Sequence, residues 1–217
     1  MTSPPGTNER PSERRRSRRD EYAEQTRQAV LASARTLFAE RGYFATTIND
    51  IAAASRVSAG TVYQQCGGKQ GLLRSLMDSW TTSDLVQGTL DQIERCESPA
   101  EVYAALADSY LEFWRRYDDI VQLVLATAVH DEAATESLGQ AMARHRAALY
   151  EIARKLRTLG DFADSFTDED FADITLYHYG PHNGFHFTVT VLGWPEDRAK
   201  EFLSTQFRQS LHAAATN

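Results

Sequence analysis

Cysteine is almost missing from this chain. Cys66 and Cys96 are the two in 217 residues. They form no CxxC pair, so there is no disulfide framework or cysteine zinc site to build on, and the usage suits a reducing cytoplasm. No nucleophile elbow, phosphate loop or dinucleotide fingerprint occurs, so the common sequence grounds for an enzyme are absent. No stretch alternates cleanly over a strand length between turn signals, which reads as an all-α chain. Charge is missing locally. From Ile174 to Pro195 there is no Asp, Glu, Lys or Arg. That length could suggest a membrane span, but Pro181, Asn183 and three histidines make it a poor one. The basic residues near the start are followed by no apolar run, so they do not read as a secretory signal.

What charge there is falls unevenly. The chain carries −7 overall, yet residues 1–74 hold 12 Lys+Arg against 7 Asp+Glu, and residues 75–217 hold 11 against 23. An acidic protein whose first third is net basic fits nucleic-acid contact at that end. Residues 1–19 read as a disordered basic N-terminal arm: Pro4, Pro5 and Pro11 among polar residues, then Arg14-Arg15-Arg16-Ser17-Arg18-Arg19. Such an arm is either a solvated tail or a segment that reaches phosphates or the minor groove.

A first helix from about Asp20 to Arg41 places Val30, Ala34, Leu37 and Phe38 on one stripe, and Gly42 stops it. Thr46 and Thr47 can cap a short second helix that buries Ile48, Ile51 and Ala52. Ser55-Arg56-Val57 is long enough only for a tight turn. Ser58 then caps a third helix, about Ala59 to Gln65, that opens with small residues. Two short helices across a tight turn make a helix-turn-helix. Small residues at the start of the second let its positive end sit close to a phosphate.

Residues 27–73 resemble the DNA-binding domain of the TetR family of bacterial transcriptional regulators. The resemblance rests on Leu37-Phe38-Ala39-Glu40-Arg41-Gly42-Tyr43, on Thr46-Thr47-Ile48, and on Ile51-Ala52. It continues through Val57 to Tyr63 as Val-Ser-x-Gly-Thr-x-Tyr, then Lys69 and Leu72-Leu73. It implies a three-helix DNA-binding domain over residues 20–74 and a helical ligand-binding and dimerisation domain over 75–217. It also implies phosphate contacts from Thr47, Thr61, Tyr63 and Lys69, with Ser58, Ala59, Gly60 and Gln64 at the DNA and Gln64 the best reader of a base edge. Three departures stand out. Arg56 replaces the usual turn glycine, Cys66 replaces an aromatic, and Gly67-Gly68 with Gln70-Gly71 replace a polar cap and an acid. A looser seam after the third helix is expected there.

The rest of the chain gives a helix from Lys69 to about Gln87, then one starting at Ser98-Pro99 with Pro in its first turn. The latter puts Val102, Leu106, Tyr110, Phe113, Trp114 and Tyr117 on one side. Ile120 to Val129 reads as a separate, short, buried helix, and Ser137 to Leu159 as another that ends at Gly160. Pro181 should kink any helix through the charge-free stretch. His178, His182 and His186 would align on an unbroken helix. Zinc is weighed and set aside, since Pro181 disturbs the spacing and no Cys or paired carboxylate lies nearby. The choices left are polar lining of a cavity and hydrogen bonding at an interface. The expected ligand set is Tyr110, Phe113, Trp114, Tyr117, Leu123, His178, His182 and His186, facing an elongated or aromatic, largely apolar molecule. No cofactor is expected. The resemblance further implies operator DNA and a small-molecule effector as partners. It implies a homodimer through the last two helices, the second of which buries Phe202, Leu203, Phe207 and Leu211. The rival readings are an interaction protein with a degenerate helix-turn-helix and an all-α, histidine-dependent enzyme.

Overall fold

Side-chain oxygens set where most helices begin. The Thr47 hydroxyl accepts from the Asp50 amide while the Asp50 carboxylate accepts from the Thr47 amide at 2.9 Å. Thr167 and Asp170 repeat this reciprocal cap, and Ser58, Ser98 and Asp131 each accept one first-turn amide. The computed structural model describes residues 18–81, 83–162 and 165–215. Its elements are α1 (Arg18–Arg41), α2 (Ile48–Ser55), α3 (Ala59–Cys66), α4 (Gly68–Thr81), α5 (Asp84–Glu94), α6 (Pro99–Ala128) and α7 (Glu132–Thr158). They continue with α8 (Asp168–Tyr179), a π-helical turn (His186–Val191) and α9 (Glu196–Ala215). No strand occurs among the described residues, so the fold is all-α.

Several boundaries differ from expectation. Arg18 and Arg19 belong to α1, where Asp20 and Glu21 in the first turn favour an early start. The remainder of the expected arm, residues 1–17, lies outside the described residues. The helix expected from Lys69 to Gln87 is two, α4 and α5, with Ser83 the extended residue before α5. Tyr117 and Ile120 lie in one unbroken 30-residue helix, not two. Neither Pro nor Gly separates them, and the intervening Asp118 and Asp119 each find a partner on another element. α7 starts at Glu132, earlier than expected, because Asp131 caps it and Ala134 is buried. At Pro181 the helix does not kink; it ends. α8 stops at Tyr179, Gly180 is extended, and helical geometry resumes with the π turn.

α6 organises the packing. At 30 residues it is about 45 Å long, and its two ends serve two cores. Ile120, Val121 and Val124 near its C-terminus pack with Val30 and Phe38 of α1, Ile51, Val62, Leu72 and Met77. Val102, Leu106 and Tyr110 of its N-terminal half pack with Leu149, Ile152 and Leu156 of α7, Phe171 of α8, and Phe207 and Leu211 of α9. Phe38, Phe171 and Phe207 are fully enclosed. Truncating such a ring to Ala costs about 3–5 kcal/mol.

Candidate nucleic-acid interface and the cavity behind it

The turn between α2 and α3 is held by Arg56, the one non-glycine described residue with positive φ (57°). Its N–H closes α2 by donating to Ala52 and Ala53 carbonyls, against a cost of about 1–2 kcal/mol for a left-handed side chain. Ser58 Oγ accepts the Thr61 amide at 3.0 Å and lies 2.9 Å from Thr61 Oγ1. α3 buries Val62 and Cys66 and turns Gly60, Tyr63 and Gln64 outward, with Tyr63 60% exposed. Ala59 and Thr61 are partly covered, and Thr47 and Ser58 are exposed. All the residues expected at DNA except Lys69 thus lie on α3, in the turn before it or at the start of α2, and Lys69 lies in α4.

The expected looseness after α3 is not found. Gly67 (φ 72°) ends α3 in the left-handed conformation. A Cβ on Gly71 would lie 1.7 Å from the Cys66 carbonyl oxygen, so α4 crosses the end of α3 with backbone against backbone. A Cβ on Gly68 would come within 2.8 Å of the Tyr63 ring, which therefore rests on bare backbone. The glycines are what the close approach requires. Burial raises the Cys66 thiol pKa, keeping it protonated. Lys69 Nζ sits 4.3 Å from the Tyr43 ring centroid, and burial lowers its pKa. Phe44 was not anticipated. It is 59% exposed just before α2, its ring against Tyr43 and His130.

Behind this unit lies a two-chambered apolar cavity. A chamber of about 90 Å³ is walled by α4 to α7, including Trp80, Leu106, Tyr110, Phe113, His145 and Leu149. One of about 50 Å³ adds Trp114, Asp118, Val121, Phe185 and His186. Both share Trp80, Tyr110, Phe113 and His145. Tyr110 Oη and His145 Nε2 are 2.8 Å apart, and the Tyr110 ring stacks on Tyr179 with centroids 4.6 Å apart. Burial pushes the His145 pKa down to about 4 and that of Tyr110 upward, so both are neutral near pH 7. His186 Nδ1 lies 2.9 and 3.0 Å from the Asp118 carboxylate oxygens.

Of the residues expected to face a ligand, Tyr110 and Phe113 wall both chambers, and Trp114 and His186 wall the second. The other four lie elsewhere. Tyr117 and Leu123 pack into the core shared with α1 to α4, which closes over that level of α6. His178 pairs with Ser210 Oγ of α9 at 2.9 Å. His182 is exposed in the turn after Pro181. The break at Pro181 is what scatters the three histidines. His145 was missed, although Leu138, Met142, His145, Leu149, Ile152 and Leu156 follow the three-four spacing of one helix face.

These features define an all-α helix-turn-helix protein with an apolar cavity in its helical body. Residues 30–76 match the family model described as bacterial regulatory proteins, tetR family. The HTH-type transcriptional repressor Rv3405c of Mycobacterium tuberculosis is 36% identical over 87 residues, 40% of this chain and 43% of that protein. The chain's match thus spans under half the length of that curated relative. The fold is also that of Salmonella enterica GusR (TM-score 0.69, 19% identity, 87% of this chain and 96% of that one). It is shared with NalD of Pseudomonas aeruginosa, the secondary repressor of the MexAB-OprM multidrug efflux pump (TM-score 0.69, 17% identity, 88% and 97%). The match to the tetR family covers the helix-turn-helix unit, and over the rest of the chain the likeness to these regulators is one of fold.

Proposed function

We propose that this protein is a cytoplasmic, homodimeric transcriptional repressor that leaves its operator when a small, largely apolar molecule enters the cavity. Residues 20–74 carry the DNA contact in this reading, and 75–217 the effector and dimer contacts. The observation that carries it is the outer side of α3, where Gly60, Tyr63 and Gln64 are exposed beside the Ser58 cap. That arrangement fits a recognition helix in a major groove. Dimerisation through α8 and α9 is supported by the large apolar side chains left exposed in that region: Tyr177, Phe187, Val191, Leu192 and Phe202. No described helix is long and apolar enough to cross a membrane. An effector acts through unequal affinity for two states of the dimer.

Sequencing the genomic fragments retained by the purified protein, followed by titration of one fragment at several salt concentrations, tests the reading. Retention of one site with a steep salt dependence is the expected result. Absence of salt-dependent duplex binding would leave the helix-turn-helix as a protein-interaction unit instead.

A further inference from the structure

The cavity has a size, a polarity and a charge preference that together narrow what fits it. Its chambers of about 90 and 50 Å³ are well below the roughly 300 Å³ at which drug-sized pockets begin. Together they approach the roughly 150 Å³ of an apolar protein cavity that takes up benzene. One ring fits, so of the two shapes expected from sequence, elongated or aromatic, the volume favours the aromatic one. The aromatic side chains of Trp80, Tyr110 and Phe113 lie on the wall common to both chambers. So does a polar point, the Tyr110–His145 pair.

We infer that the cavity takes an uncharged, single-ring aromatic molecule bearing one hydroxyl group, held by hydrogen bonding to the Tyr110–His145 pair. This rests on the proposal that the cavity is the effector site. The 2.8 Å bond uses one proton, from Tyr110 or from His145 according to the imidazole tautomer. Either way the Tyr110 oxygen keeps capacity for a further partner, as acceptor in one case and donor in the other. A ligand hydroxyl can answer both, whereas a hydrocarbon leaves that capacity unused. A carboxylate fits poorly. His145 is held neutral, and the cation on the wall, Arg144, has a half-exposed side chain 3.8 Å from the Asp78 carboxylate. An anion buried against neutral aromatic walls forfeits its hydration without gaining a counter-charge.

Calorimetric titration of the full-length protein with 4-methylphenol, toluene and 4-methylbenzoate tests this. The phenol should bind about fivefold or more tightly than toluene, the effect of one net hydrogen bond, and the benzoate no better than toluene. Tyr110→Phe should bring the phenol down to the toluene level while leaving toluene affinity intact, which also reports that the cavity is still formed. His145→Leu leaves both the donor and the acceptor capacity of the Tyr110 hydroxyl free, so the phenol preference should persist in that variant. The wild-type ranking stands independently of either variant. Equal phenol and toluene affinities, a preference for the benzoate, or a phenol preference that survives Tyr110→Phe would overturn the inference and leave the effector site standing. Failure of all three probes to bind would overturn both.

Discussion

Asp118 and Asp119 are consecutive on α6 and serve different parts of the molecule. Asp118 takes His186 Nδ1 at 2.9 Å, at the wall of the smaller chamber. Asp119 takes both Nε and Nη2 of Arg35 on α1 at 2.7 and 2.6 Å. One peptide unit therefore separates a contact to the cavity from a contact to the helix-turn-helix unit. The Arg35–Asp119 pair is more than a third exposed, so Asp119→Asn should cost less than about 1 kcal/mol of stability in urea unfolding. Its larger effect should be on DNA affinity, lowered several-fold because α1 is less firmly oriented on α6. Unchanged affinity would make the pair a bystander.

Phosphate contacts position and base contacts specify. Tyr63→Ala and Lys69→Ala should therefore weaken binding to all duplexes about equally. Gln64→Ala should instead relax preference at one base pair per half-site, a change of about 1–3 kcal/mol in discrimination. A selection over randomised duplexes distinguishes the two. A uniform loss in the Gln64 variant would remove it as the base reader.

The helix-turn-helix was legible because its determinants are local. Thr47, Ser58 and Arg56 act on backbone within a few residues of themselves, whereas Asp50, which completes the Thr47 cap, was not singled out in the sequence. The cavity was half legible for the opposite reason. Tyr110 and Phe113 follow from the apolar side of α6, but their partner His145 is 35 residues from Tyr110 and flanked by Arg144 and Arg146. It reads as surface until the α7 stripe is traced through it. The partners of Asp118 and Asp119, which lie between Tyr117 and the helix expected from Ile120, are 68 and 84 residues away. No local pattern carries that information.

Residues 1–17 contain Arg10, Arg14, Arg15 and Arg16. If this segment touches the duplex, removing it should flatten the plot of log affinity against log salt by about 0.9 for each phosphate that it neutralises. An identical slope in the truncated protein assigns the segment no part in binding.

Gly71→Ala places a methyl group where the Cys66 carbonyl already lies. Because that neighbour is backbone, α3 and α4 must separate, and overpacking of this kind costs about 1–3 kcal/mol. Both the urea midpoint and DNA affinity should fall, since α3 carries the exposed Tyr63 and Gln64. Gly68→Ala meets only a Tyr63 ring that can swing aside, but at φ 77° it puts a side chain on left-handed backbone, so it too should cost about 1–2 kcal/mol. A Gly71→Ala protein as stable as wild type would mean that the two helices are not in backbone contact.

His145 gives the stability a pH dependence whose sign follows from its burial. Its folded pKa of about 4 lies below its ordinary value of 6.5, so the unfolded chain binds the proton more readily. Between those values the unfolded state carries more protons, and stability rises with pH. The stabilisation is fully present above about pH 6.5 and is lost as pH falls toward 4. Its size is on the order of 2 kcal/mol between pH 7 and pH 5. His178, also lowered by burial, adds in the same direction, so the wild-type slope alone does not isolate His145. His145→Gln does, because an amide keeps a hydrogen-bond partner for Tyr110 and cannot titrate in this range. Urea unfolding at pH 7 and pH 5 should show a marked drop for wild type and a clearly smaller one for His145→Gln. Parallel decreases in the two proteins would mean that His145 takes up its proton in the folded state, with water reaching the chamber it shares with Tyr110.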